Sequence, residues 1–306
     1  MDISGALPTF VVTLREGVEA ALVVGIVLAY LNKANQRHLN PWVYGGIATG
    51  IVASVLVGIL FTGLLLQLET AEQSSARILK PFLEAVFSAI AIGLLSWMLI
   101  WMTQQARSLK SEVETTVATA LQSSGRAGWG VFGLILVAVL REGFETVIFI
   151  AAQFQGGWVP VAGAIAGLVG ATIIGFLLFQ LGVKINLRLF FQGMGVLLLL
   201  IVAGLVVGTL RHLDAAALRL TELYPAYSNL CFSPGPSCLL GPQVWDTSGV
   251  LPDREFPGIL LKAFFGYTQH LYLAQAVGYV AFLLTVGTIY LQSILPATSP
   301  PKTSQT

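Results

Sequence analysis

The sequence predicts an all-α polytopic membrane protein. Seven spanning helices form two inverted three-helix repeats plus one added helix, with the N-terminus outside and the C-terminus inside. Three observations carry this: an apolar composition, a charged motif that occurs twice, and a loop asymmetry of basic residues and cysteines.

Of 306 residues, 56% are hydrophobic and 10% charged, and the mean hydropathy is +0.81. A soluble domain carries about 25% charged residues, too many for this composition to match. Apolar runs near the ~20 residues that cross a bilayer place helices at about 8–31, 42–66, 81–102, 129–152, 159–181, 190–210 and 270–293. Together they make one transmembrane domain over 1–295, followed by a Pro/Ser/Thr-rich tail, 296–306, of disordered composition. Met1-Asp2 opens the chain without a basic n-region, which excludes a cleavable signal. Net charge is +1 with no basic block, which excludes a nucleic-acid partner. The lipid bilayer is the partner that composition does require.

Two stretches between helices are polar. Gln104 to Arg126 reads as an amphipathic or helical cytosolic connection, and 211–269, rich in Pro, Gly and Asp, as an extracytoplasmic loop. With the N-terminus outside, Lys33, Arg37, Arg107, Lys110, Arg126, Lys184, Arg188 and Lys302 fall inside. Arg77, Lys80, Arg211, Arg219, Arg254 and Lys262 fall outside, a modest positive-inside bias. The two cysteines, Cys231 and Cys238, flank Phe-Ser-Pro-Gly-Pro-Ser in the long loop. Such a turn-forming spacer can close a disulfide, which persists on the oxidising side; two free thiols are the alternative.

The repeat is read in three places. Leu14-Arg15-Glu16-Gly17-Val18-Glu19 matches Leu140-Arg141-Glu142-Gly143-Phe144-Glu145. Gly46, Gly50 and Gly58 are spaced like Gly163, Gly167 and Gly175, and Arg77 and Gly93 like Arg188 and Gly204. Three helices per unit is an odd number, so the second copy inserts upside down. Inverted repeats mark secondary transporters, with the site near the midplane where the halves meet. The Gly46/Gly50 and Gly163/Gly167 pairs read as helix-packing positions.

The repeated motif carries the chemistry. An ionised side chain at the bilayer centre costs roughly 2.5–3.5 kcal/mol, so six of them need a reason. Glu16 and Glu19, at i and i+3, share a helical face, and Arg15 lies four residues before Glu19; Arg141, Glu142 and Glu145 repeat the pattern. Facing antiparallel helices would gather four carboxylates and two guanidiniums, a net −2 that attracts a multivalent cation. Carboxylates suit hard cations, and no spanning segment holds a Cys; the one membrane-adjacent His is His270. Arginine beside carboxylate limits their repulsion in the empty site. Gly17 and Gly143 either let helices approach or leave room for an ion. A ferritin-like di-metal enzyme centre would add Glu-x-x-His ligands, and the motifs contain no His.

The two Arg-Glu-Gly-x-Glu motifs resemble the signature of the oxidase-dependent iron transporter family, the fungal high-affinity iron permeases and bacterial EfeU-type permeases. The resemblance extends over about residues 5–293 and includes Trp101-Met102 with Gln105-Ala106-Arg107, and Trp245-Asp246-Thr247-Ser248. It implies iron, Fe3+ or Fe2+, as transported substrate across the plasma (inner) membrane, with no permanently bound cofactor and no enzymatic reaction. Glu16, Glu19, Glu142 and Glu145 would then handle the metal, with Arg15 and Arg141 required beside them. It further implies an extracytoplasmic iron-oxidising or iron-delivering protein as partner. Another hard or divalent cation, such as Pb, Mn or Fe(II), is the alternative cargo that oxygen ligands alone leave open.

Glu84, after Pro81 at the outer end of the third helix, reads either as a relay carboxylate on the way in or as a helix N-terminal acid. Glu222, Asp246, Asp253, Glu255 and His270 in the long loop could gather cations before entry, but read first as ordinary loop polarity. Tyr224, Tyr227, Trp245 and Tyr267 read as interfacial anchors.

Overall fold

The computed structural model describes residues 5–70, 76–105, 109–122, 127–152, 158–179, 181, 186–224, 231 and 237–294. Tyr227 and the tail 296–306 lie outside the described residues. The chain runs through helices α1 (Ala6–Lys33), α2 (Asn40–Thr70), α3 (Ala76–Gln105), α4 (Leu109–Gln122), α5 (Ala127–Ala152), α6 (Trp158–Phe179) and α7 (Leu187–Leu223). Strand β1 (Gln243–Asp246), helix α8 (Gly258–Phe265), strand β2 (His270–Tyr272) and helix α9 (Leu273–Ile294) follow.

This is an all-α membrane protein. Among the described residues, five stretches are long and apolar enough to cross a bilayer: Arg37–Leu60, Pro81–Met102, Trp158–Phe179, Leu187–Leu223 and Leu273–Ile294. Their outward faces carry exposed large apolar side chains, such as Val52, Leu56 and Ile59 on α2 and Ile165, Ile173 and Phe176 on α6. In water such a surface would aggregate; against lipid it is satisfied. The remaining long helices, α1 and α5, are the two that contain the charged motifs.

Several boundaries differ from the sequence reading. Hydropathy falls after 210, which placed the end of the sixth helix there, yet α7 continues to Leu223. The continuation, Arg-His-Leu-Asp-Ala-Ala-Ala-Leu-Arg-Leu, consists largely of strong helix formers, so propensity outlasts apolarity. The loop read as 211–269 is shorter accordingly and holds structure of its own: α8, and β1 paired antiparallel with β2 at Trp245–Leu271 and Asp246–His270. The last helix begins at Leu273, because 270–272 are engaged in that sheet. The polar connection 104–126 contains a regular helix, α4, whose Val113 and Val117 are buried.

The helices pair in a regular way. α1 packs most extensively on α6, α2 on α5 and α3 on α7, while α1 also meets α5. The glycines make this possible. A Cβ on Gly163 would overlap the Ala6 carbonyl oxygen, and one on Gly167 would sit 2.7 Å from the Phe10 oxygen and 2.9 Å from the Leu14 nitrogen. Both obstacles are backbone, which cannot rotate aside. Gly167→Ala is therefore expected to push α6 off α1, costing about 1–3 kcal/mol. Gly170→Ala meets only the flexible Leu14 side chain at 2.9 Å and should be tolerated. Thermal unfolding of the two purified proteins checks the contrast.

Two apolar clusters flank the motifs. One joins Val11 and Val12 of α1 to Leu95, Leu99, Phe149, Leu198, Val202 and Tyr290. The other joins Val27 and Leu31 of α1 to Val43, Val113, Val117, Val131, Ile135 and Val139. Along α1 and α5 alike, the motif charges lie between these clusters.

Beyond α7, a disulfide joins Cys231 to Cys238. Buried Asp214 anchors that segment by accepting the N–H groups of Cys238 (2.8 Å) and Leu239 (2.6 Å). Tyr290 of α9 donates its hydroxyl to the Gln192 carbonyl (3.1 Å), lying over Gly195 where any Cβ would collide with it.

Candidate metal centre

α1 packs against α5, and motif acids of the two helices converge. Glu16, Glu19 and Glu142 are all buried, and one oxygen from each lies within 4.8 Å of the others. Arg15 is 3% exposed and stands 3.5 Å from Glu16 Oε1 and 3.2 Å, through Nε, from Glu19 Oε1. Arg141 reaches Glu142 Oε1 at 2.9 Å and Glu145 Oε1 at 3.6 Å, but it is 48% exposed. The two motifs thus share a sequence and differ in burial.

Glu145 stands apart. Its side chain is 24% exposed and lines, with Arg141, Trp101 and Phe144, a largely apolar cavity of about 290 Å³. The structure gathers three of the four motif glutamates and puts the fourth at the edge.

The motif glycines serve helix approach. A Cβ on Gly17 would lie 2.6 Å from the Ala171 Cβ on α6, and one on Gly143 would collide with the Ser54 hydroxyl on α2. Ala171 and Ser54 hold the same register, each four residues after a packing glycine, Gly167 and Gly50. Each motif helix is therefore seated on its partner in the same way, which turns the glutamates toward the α1–α5 interface.

Both oxygens of Glu16, Oε1 of Glu19, Oε2 of Glu142 and Oε2 of Glu145 are buried without a hydrogen bond among the described residues, Arg15 standing only at ion-pair distance from Glu16 Oε1 and Glu19 Oε1. A buried carboxylate oxygen left unsatisfied costs free energy, so this grouping is incomplete as a purely structural ion-pair network. A cation placed among the oxygens satisfies them at once. The donor set is all oxygen, which suits Mg, Ca, Mn and iron ions and disfavours Cu(I).

Glu84 is placed elsewhere. Its Oε2 is 2.8 Å from His212 Nδ1, beside a cavity of about 160 Å³ lined by Pro8, Ser88, His212, Asp253, Lys262 and Gln275. His212 escaped the sequence reading, which named His270 as the membrane-adjacent histidine. It falls just past the expected helix end at 210, and the helical propensity of 211–223 was the signal that could have found it. The loop acids do not join the centre. Asp246 accepts the Ser248 N–H and hydroxyl, which hold its carboxyl below the usual range, and lies 3.5 Å from His270 Nδ1. Asp253 faces Lys262 at 3.9 Å, Glu222 pairs with Arg219 at 3.0 Å, and Glu255 is exposed.

Comparison with known proteins identifies relatives along nearly the whole chain. A Synechocystis protein, slr0964, is 48% identical over 295 residues, 96% of each chain. The ferrous iron permease EfeU of Shigella sonnei is 31% identical over 301 residues, 97% of each chain. The Yersinia pestis EfeU is 28% identical, with 90% of this chain and 89% of that one aligned. No solved structure matches the chain. The family model described as iron permease FTR1 matches residues 6–294, nearly the whole length, and the chain belongs to that family of membrane permeases.

Proposed function

We propose that this protein moves iron across the plasma (inner) membrane, the ion passing the carboxylates of Glu16, Glu19 and Glu142 with Glu145 at the edge of the site. One observation carries the reading: two copies of Arg-Glu-Gly-x-Glu place three buried carboxylates within 4.8 Å, with several oxygens that accept no hydrogen bond among the described residues. Neutral helices would suffice for a structural role. Charges held at this depth without full satisfaction are the mark of an ion pathway.

The helix pairing supports the inverted-repeat reading. If α1–α3 correspond to α5–α7, then the α1–α6 and α2–α5 contacts exchange under one two-fold axis, and the α1–α5 and α3–α7 contacts lie on it. α1 and α5 bring the five apolar spans to seven, with α9 the unpaired addition. In the N-terminus-out orientation the disulfide and α8 lie outside, and α4 lies inside against the ends of α1 and α5. The cavity beside Glu84 and His212 then opens outward, a station for an ion on its way to the centre. The EfeU relatives are ferrous iron permeases by name, and Fe2+ suits oxygen ligands. The chain has no haem or copper motif, so an extracytoplasmic protein that oxidises or delivers iron completes the system.

The test is uptake of labelled Fe2+, kept reduced with ascorbate, into proteoliposomes containing the full chain. Unlabelled iron is expected to compete better than Mn2+ or Pb2+. Preferential transport of either of those ions overturns the choice of cargo.

A further inference from the structure

We infer that Trp101 and Met102, adjacent residues near the end of α3, are positioning residues that hold the two motif arginines and thereby set the affinity of the carboxylate centre. The inference rests on the reading that iron occupies that centre. The Arg141 guanidinium lies over the Trp101 ring, 5.3 Å from its centroid. Arg15 Nη2 donates to the Met102 sulfur at 2.9 Å. Consecutive helical positions point about 100° apart. One turn of α3 can therefore serve α5 with one residue and α1 with the next.

Each guanidinium thus has two partners, carboxylates on its own helix and a polarisable side chain on α3. The match of chemistry to exposure is apt. The half-exposed Arg141 meets an aromatic face, where cation–π attraction is strongest for Trp. The buried Arg15 meets a thioether, a soft acceptor that fills space without adding charge. A cation arriving among the carboxylates competes with the arginines for the same oxygens. An arginine released from them would lose its counter-charge at a depth where that is costly. The α3 partners hold it, so binding the metal need not strand a guanidinium. Removing either partner drives the arginine back onto the carboxylates and strengthens its competition with the ion. Trp101-Met102 also stood out in the sequence without a role attached, and the motifs themselves supply none.

Iron uptake by proteoliposomes of the full chain, with ascorbate-reduced Fe2+ as probe, separates KM from Vmax. Trp101→Leu and Met102→Leu are expected to raise KM roughly three- to tenfold with Vmax largely kept. Trp101→Phe, which retains a ring face, should recover most of the shift. Trp129→Leu on α5 and Met194→Leu on α7, for which no arginine contact occurs among the described residues, should keep the wild-type KM. Unchanged KM in Trp101→Leu and Met102→Leu overturns the inference, as does an equal rise in the Trp129 and Met194 variants, which would mean general packing. Where Trp101→Leu does not reach the membrane, the volume-conserving Met102→Leu decides alone. Glu16→Gln run alongside separates the two levels. Uptake that persists there removes the carboxylate reading itself, whereas loss there with wild-type KM in the α3 variants removes only this inference.

Discussion

Glu16→Gln and Glu142→Gln should each abolish iron uptake by protein that still reaches the membrane. Glutamine keeps the volume and one carbonyl oxygen, so the helices stay packed and the change is one of charge. Either substitution takes the four-glutamate, two-arginine cluster from −2 to −1 and removes an oxygen donor from a group that spans only 4.8 Å. Loss of an outer partner of a metal site typically costs 10–100-fold, and loss of a direct ligand should exceed that. Glu145→Gln is expected to do less, because Glu145 is 24% exposed at the margin and is not among the three that converge. The measurement is labelled-iron uptake normalised to monodisperse protein on size exclusion. Normal uptake in both the Glu16 and Glu142 variants would sink the site, and equal loss in all three would restore the four-carboxylate symmetry expected from sequence.

That last contrast shows where sequence reading stopped. The motif pair and the packing role of Gly163 and Gly167 were legible because each leaves a local mark: a charge where charge is costly, or a glycine at fixed spacing. The inequality of the two motifs leaves no such mark. Arg15 and Arg141 have the same neighbours in sequence, and only the placement of other helices separates them. α9 seats Tyr290 on Gly195 and closes the cluster around Val11 and Val12, while among the described residues nothing equivalent covers the Trp101–Phe144 side. Likewise hydropathy reports lipid contact and not helix length, which is why α7 and its His212 were cut short. The Trp101 and Met102 contacts were out of reach for the same reason: they join α3 to helices far away in sequence.

The inequality itself predicts a second large effect, on stability. Arg15→Met keeps an unbranched stem of similar girth and deletes the charge, leaving Glu16 and Glu19 buried with their nearest counter-ion gone. Breaking a buried ion pair from one side costs about 3–5 kcal/mol, because the remaining charge has neither water nor a partner. Arg141→Met deletes a guanidinium that is 48% exposed, so water already screens its pairing with the buried Glu142 and the cost should fall below that of Arg15→Met. Both variants should lose iron uptake, yet the fall in thermal unfolding temperature in detergent should be clearly larger for Arg15→Met. Added Fe2+ should then raise the unfolding temperature of Arg15→Met, since a cation bound to the folded state supplies the missing charge by mass action. Equal destabilisation of the two variants would mean that their different burial has no energetic weight. A lack of response to Fe2+ in Arg15→Met would mean that the orphaned oxygens of Glu16 and Glu19 do not face the ion.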